Sequence, residues 1–103
     1  MQTETPETAP ARTEADRVQY ILLTIWEELR RAQSKYPAYH STHEGYAVIR
    51  EELDELWDNV KRSKSTRADG VTAIEALQVA TTAVRFILDL CDDDEFRETL
   101  RGY

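Results

Sequence analysis

The feature that most constrains this chain is the stretch 71–91, which carries apolar side chains on two separate flanks of one predicted helix. A surface helix normally has one apolar stripe and a broad polar face. Apolar flanks on both sides need packing partners on both sides, which predicts that this helix is central to a helical assembly. At about 100° per residue, one flank contains five side chains and the other contains three: Ile74, Leu77, Thr81, Val84 and Leu88, and then Val79, Phe86 and Leu90.

Between the two flanks runs a narrow polar strip, which we predict to be partly enclosed. Enclosed charges are costly unless they are paired or bind a metal. Two interpretations are therefore open for this helix, an internal row of ion pairs in which Arg85 joins Glu75 or Asp89, and a metal-binding site. The strip consists of Glu75, Gln78, Thr82, Arg85 and Asp89.

Three further segments have helical periodicity, and none has the alternation of a strand. A first helix begins after the N-cap Thr13 and stops before Tyr36-Pro37. A second helix covers roughly 43–62, with Ser41 or Thr42 as its cap, and a short polar helix covers 93–101.

These segments predict an all-α fold, a helical bundle of three main helices plus a short C-terminal helix. Residues 1–12 have nothing to bury and are predicted to be a flexible tail, which leaves 13–103 as a single domain. Three helices cannot cover both flanks of the third, so oligomerisation is expected to complete the bundle, as a homodimer or homotetramer with helices two and three at the interface.

Composition narrows the classes of partner. The formal net charge of −7 disfavours binding to nucleic acid or to an anionic membrane, because both repel an acidic surface. No apolar run approaches the roughly 20 residues that span a bilayer, and the start of the chain lacks the regions of a signal peptide. The single cysteine, Cys91, fits a reducing compartment. We therefore expect a cytoplasmic protein.

The second helix contains an acidic run, Glu51-Glu52-Leu53-Asp54-Glu55. Such a run is usually a solvated face, and Asp54 is expected to face solvent. Glu52 and Glu55, however, fall at the edge of the apolar stripe, on one side and one turn apart. Two carboxylates at this spacing that face a third on another helix suit a hard cation such as Mg²⁺, with Mn²⁺ as an alternative.

These residues resemble the MazG-like all-α nucleoside triphosphate pyrophosphatases. The motif Glu51-Glu52-x-x-Glu55, nineteen intervening residues and then Glu75 is similar to the acidic signature of that group. The segments Lys35-Tyr36-Pro37 and His43-Glu44-Gly45-Tyr46-Ala47-Val48-Ile49-Arg50 resemble its small phage and bacterial branch. The similarity covers roughly residues 18–90.

The resemblance implies a Mg²⁺-dependent hydrolase that cleaves a nucleoside triphosphate, or deoxynucleoside triphosphate, to monophosphate and pyrophosphate. It implies a dimer or tetramer with the site between helices. Glu52, Glu55 and Glu75 match the metal ligands, and Glu51 matches the first Glu of the signature. Glu51 or Glu55 would position or deprotonate the attacking water. Where the group has Asp as fourth ligand, this chain has Gln78, an amide that ligates more weakly.

Lys35, Lys61 and Arg85 are further candidates, for neutralising phosphate charge, although no motif assigns them. His40 and His43 are spaced as H-x-x-H but lack a third ligand for zinc, which leaves a capping or phosphate-contact role open. Cys91 is expected to be a packed thiol rather than a nucleophile.

The alternative function is a non-catalytic helical module that binds a nucleotide or a protein partner. Gln78 is its main support. A plain structural bundle, in which Arg85 and solvent satisfy the acidic strip, is a third interpretation.

Overall fold

The computed structural model describes residues 10–62, 64–66 and 68–103. Over these residues the chain forms four helices and no strand: α1 (Glu14–Lys35), α2 (Thr42–Val60), α3 (Asp69–Leu90) and α4 (Asp93–Arg101). The predicted all-α fold, with three main helices and a short C-terminal one, is confirmed. Of the predicted tail, residues 1–9 lie outside the described part, and residues 10–12 are exposed and without regular structure.

Helices α1, α2 and α4 begin where short polar side chains cap them, whereas α3 begins after Ala68 without a side-chain cap. Thr13 Oγ1 accepts a hydrogen bond from the backbone N–H of Asp16, and Asp16 Oδ2 accepts one in return from the N–H of Thr13, both at 3.1 Å. This capping box satisfies two N–H groups that have no partner within the helix. Ser41, one of the two caps predicted for α2, accepts from the N–H of Glu44. The caps predicted for α1 and α2 are therefore confirmed.

Helix α3 is central and packs more extensively against α2 than against α1. The close approach of α2 depends on Gly45, the buried glycine of that helix. A Cβ at this position would lie 2.6 Å from Phe86 Cδ2 and 2.8 Å from Leu90 Cδ1 of α3. Both distances are shorter than a side chain tolerates, so the absence of a side chain at Gly45 sets the spacing between the two helices.

The α1–α2 loop is fastened to α3 by one buried arginine. Arg85 Nη2 donates to the carbonyl oxygens of Tyr36 and Pro37, each at 2.7 Å, and Nε donates to Asp89 Oδ2 at 3.1 Å. Asp89 Oδ2 also accepts from the N–H of Tyr39, whose ring lies 5.1 Å from the guanidinium carbon. Arg85 thus joins Asp89, one of the two partners expected for an internal ion pair.

Few apolar side chains are buried within the single chain. Among the described residues Leu29 is the one buried large apolar side chain, while the buried polar ones are Thr81, Thr82 and Arg85. Trp26 and Trp57 keep 56% and 58% of their surface exposed. The first apolar flank of α3 is also largely uncovered, since Ile74, Val84 and Leu88 are exposed. The polar strip of α3 is partly enclosed, as predicted, whereas much of the first apolar flank is exposed.

One described helix, α3, is long and apolar enough to cross a membrane by length and composition alone, with a mean hydropathy of 1.4 over an 18-residue window. This differs from the expectation that no apolar run approaches that length. The central helix of a helical bundle meets the same criterion, and α3 is central here, with α1 and α2 packed against it. Of that window, 11% is buried, so α1 and α2 leave most of its apolar surface uncovered.

Candidate metal centre

A cleft of about 700 Å³ opens between α1, α2 and α3. Its walls carry six carboxylates and only two cationic side chains. The cations are Arg31 of α1 and Arg85 of α3. The carboxylates are Glu28 of α1, Glu44, Glu51, Glu52 and Glu55 of α2, and Glu75 of α3.

Three of these carboxylates form a compact group. Glu52 and Glu55 come from successive turns of α2, and Glu75 comes from α3. Each can offer an oxygen such that all three oxygens lie within 4.8 Å of one another. The predicted convergence of two helices on one acidic site is therefore present in the structure.

The pKa of one half-buried member of the group, Glu52, departs from its ordinary value. The pKa of Glu52 is raised to about 7, first by burial and then by the negative charges of Glu55, Glu75 and Glu51. Burial and like charge both disfavour the ionised form of a carboxyl group. None of the ion pairs found among the described residues involves Glu52, Glu55 or Glu75. Their mutual repulsion is thus not relieved by an arginine or lysine of the described chain.

Gln78 lies one turn beyond Glu75 and also lines the cleft. Its amide Nε2 donates to Glu28 Oε1 of α1 at 3.0 Å. The residue that stands in place of the expected fourth carboxylate is therefore used, at least through its nitrogen, to join α3 to α1. A carboxylate at position 78 would instead face Glu28 as a like charge.

Glu28 is held by two partners. Besides Gln78, it accepts from Arg31, through Nε at 3.0 Å and through Nη2. The hydrogen bonds from Arg31, which outweigh burial, lower the pKa of Glu28. Glu28 therefore remains an anion in the cleft near neutral pH.

The three basic candidates occupy different places. Lys35 and Lys61 do not line the cleft. Lys61 follows the last turn of α2, where its ammonium group lies 3.0 Å from Asp58 Oδ1. Arg85 does line the cleft, yet its hydrogen bonds go to the loop and to Asp89.

The remaining candidates lie at the margin of the site or outside it. Glu51 lines the cleft, next to the three-carboxylate group. The N–H of His40 donates to Glu44 Oε2 at 3.0 Å, and its ring nitrogen Nδ1 lies 3.2 Å from the same oxygen. His43 and Cys91 do not line this cleft, and Cys91 is exposed rather than packed.

Glu28 and Arg31 were missed from the sequence. Glu28 lies three residues after Ile25 and directly before Leu29, at the edge of the apolar stripe of α1. That is the same position that singled out Glu52 on α2, so the signal was present in the sequence. However, no motif in the sequence connected α1 to the acidic residues of the other helices.

Comparisons with known protein families, with curated proteins and with solved structures find no match to this chain.

Proposed function

We propose that this chain is a Mg²⁺-dependent, MazG-like nucleotide pyrophosphohydrolase. The observation that carries the proposal is the group formed by Glu52, Glu55 and Glu75 in the wall of a cleft of about 700 Å³. A cleft of this size falls within the range of small-ligand sites, roughly 300–1,000 Å³.

The donor set fits a hard divalent cation. Mg²⁺ binds carboxylate oxygens, keeps several water ligands and is commonly shared with substrate phosphates. Three carboxylates for which no ion pair is found among the described residues, one of them with a pKa raised to about 7, gain stability when a dication neutralises them. Mn²⁺ has a similar ligand preference, and Gln78 would contribute only through its amide oxygen.

The reaction proposed is attack of water on phosphorus with cleavage of the anhydride bond between the α and β phosphates. The products are a nucleoside monophosphate and pyrophosphate. A bound Mg²⁺ supplies charge neutralisation at the phosphate oxygens and a water of lowered pKa. Glu51 or Glu55 accepts the proton that the water loses, since both are exposed carboxylates at the cleft wall. Glu52, Glu55 and Glu75 would hold the ion.

Self-association and a cytoplasmic location belong to the same proposal. The exposed apolar side chains of α2 and α3, among them Trp57, Ile74 and Leu88, would be covered in a homodimer or homotetramer. An exposed free thiol, Cys91, is compatible with a reducing compartment.

Release of pyrophosphate tests the proposal directly. Wild-type protein, incubated with Mg²⁺ and a panel of ribo- and deoxyribonucleoside triphosphates, is expected to yield monophosphate and pyrophosphate in equal amounts. Glu75→Gln should abolish release, whereas Asp54→Asn, which changes an exposed residue of the same acidic run outside the cleft, should not. Release of orthophosphate instead, or no release by a folded wild type, would exclude this reaction.

One observation favours the alternative of a non-catalytic binding module. The amide of Gln78 bonds to Glu28, as expected of a residue that satisfies an internal contact. Gln78→Asp separates the two functions. In an enzyme the added carboxylate strengthens metal binding and raises turnover. In a binding module it places a second negative charge beside Glu28, destabilises the protein and yields no activity.

A further inference from the structure

The proposed reaction requires the cleft to accept a polyphosphate as well as a metal ion. A triphosphate carries about four negative charges near neutral pH, of which one Mg²⁺ balances two. The cleft wall adds six carboxylates of its own. A cationic side chain is therefore needed to offset the remaining repulsion.

Arg85 is poorly suited to this task because its guanidinium is already engaged. It is only 5% exposed, and its hydrogen bonds hold Tyr36, Pro37 and Asp89. Reaching a ligand would release the α1–α2 loop and leave Asp89 without its ion pair. Lys35 and Lys61 do not line the cleft.

Arg31 differs from Arg85 in both exposure and partners. Its side chain is 52% exposed, whereas that of its partner Glu28 is 16% exposed. Both hydrogen bonds found for Arg31 go to this one carboxylate, through Nε and Nη2. Exchange of this partner costs less than at Arg85, because the Arg31 side chain is largely exposed and Glu28 keeps a second hydrogen bond from Gln78, whereas both members of the Arg85–Asp89 pair are buried.

We propose that Arg31 binds the phosphate groups of the ligand and that Glu28 holds it at the cleft wall until the ligand arrives. This inference rests on the function proposed above. The planar guanidinium offers two parallel N–H groups, which match two oxygens of a phosphate as well as they match the carboxylate of Glu28. On binding, Arg31 moves from Glu28 to phosphate, while Glu28 keeps its hydrogen bond from Gln78.

In this arrangement Gln78 holds Glu28 in position. Its Nε2 fixes one oxygen of Glu28, so the carboxylate stays in place when Arg31 leaves. Gln78 is therefore a positioning residue that acts through Glu28. An Asp at position 78 could not donate this bond and would repel Glu28, a cost that in an enzyme accompanies the gain in metal binding.

The test is a calorimetric titration with a non-hydrolysable α,β-imido nucleoside triphosphate in the presence of Mg²⁺, together with a separate titration of Mg²⁺ alone. Wild type is compared with Arg31→Gln, Arg31→Lys and Arg30→Gln. Arg30 is the matched control, since it belongs to the same helix, lies over the Trp26 ring and does not line the cleft.

Arg31→Gln is expected to weaken triphosphate binding by roughly 10- to 100-fold, the range for a hydrogen bond to a charged group. The affinity for Mg²⁺ alone should stay the same or increase, because a positive charge beside the carboxylates is lost. Arg31→Lys should retain part of the binding, and Arg30→Gln all of it. Glu28→Gln should tighten triphosphate binding, because it frees Arg31.

Two results would overturn the proposal, and they are distinguishable. If wild type binds Mg²⁺ and the triphosphate but Arg31→Gln binds both as Arg30→Gln does, the role of Arg31 is refuted while the proposed function stands. If folded wild type binds neither, the proposed function itself fails, and the role of Arg31 fails with it.

Discussion

On one side of α3 the polar side chains are buried or half-buried, whereas on the other side apolar side chains are exposed. On the cleft side, Thr82 and Arg85 are buried and Glu75, Gln78 and Asp89 are half-buried. On the outer flank, Val84 and Leu88 are exposed. In a stable single-chain domain the apolar side would be the buried one. The difference is what we would expect if one side binds a ligand and the other packs against a further protein surface, as proposed above.

The two sides also differ in what holds them. The cleft side is fixed by directional contacts, above all those of Arg85 with the loop and with Asp89. The outer flank has no comparable contacts within the chain. Buried polar contacts of this kind cost much when broken, whereas an exposed apolar flank costs little until a partner covers it. The following predictions test this difference.

The largest effect is expected on the cleft side, at Arg85. Arg85→Met keeps much of the volume but leaves Asp89 buried without its cation and frees the carbonyl oxygens of Tyr36 and Pro37. Breaking a buried pair in this way costs about 3–5 kcal/mol. The matched control is Arg97→Met, whose pair with Asp93 is exposed and contributes about 0–1 kcal/mol. Urea unfolding of both variants measures the difference, and equal losses would contradict it.

The next effect concerns the outer side and self-association. Trp57→Lys places a charge among exposed apolar residues of α2, and truncating an aromatic anchor at an interface costs about 2 kcal/mol or more. We expect the dissociation constant of the assembly to rise by roughly 30-fold or more. Light scattering at micromolar concentration measures it. Trp26→Lys on α1 is the control, because the interface is proposed to involve α2 and α3.

A folded wild-type monomer of 11.9 kDa at that concentration would refute self-association. If Trp26→Lys raises the dissociation constant more than Trp57→Lys does, the interface involves α1 rather than α2.

A smaller effect is expected where α2 approaches α3. Gly45→Ala adds a methyl group at 2.6 Å from Phe86 Cδ2, and such overpacking typically costs about 1–3 kcal/mol. Gly70→Ala is the control, since a Cβ there meets nothing within 4 Å and helix propensity favours alanine by up to about 1 kcal/mol. Thermal unfolding should therefore shift in opposite directions for the two variants. A neutral Gly45→Ala would show that the helices are not in close contact.

The smallest effect is a pH dependence that belongs to Glu52, because solvent screens the charge of this half-buried carboxyl group. Its pKa is raised from the ordinary 4.5 to about 7 in the folded protein, so the folded state binds more protons than the unfolded state between these values. Without metal, its contribution to stability is therefore fully present below about pH 4.5 and is lost as the pH rises through about 7. Urea unfolding across this range in a chelating buffer should show this loss in wild type and not in Glu52→Gln. Parallel curves for the two proteins would contradict the assignment.

Most of the fold could be predicted because it depends on local patterns. Thr13 and Ser41 mark helix starts through capping, and apolar spacing marks the helix faces. The position of Glu52 and Glu55 at a stripe edge likewise predicted their meeting with Glu75. The contribution of α1 to the cleft could not be predicted from local patterns. It depends on the contact of Glu28 with Gln78, which lies fifty residues further along the chain. The same limit applies to Arg85, whose hydrogen bonds to Tyr36 and Pro37 follow from packing between distant segments.

The central claim is that the three-carboxylate group binds a divalent metal, and thermal unfolding with and without Mg²⁺ or Mn²⁺ tests it most directly. A ligand that binds only the folded state stabilises it by about 2.7 kcal/mol at 100 times its dissociation constant. We expect the melting temperature of wild type and of Asp54→Asn to rise by several degrees with metal, and that of Glu75→Gln to stay unchanged. The claim would be contradicted if the melting temperature of wild type did not change with either metal, or if that of Glu75→Gln rose equally.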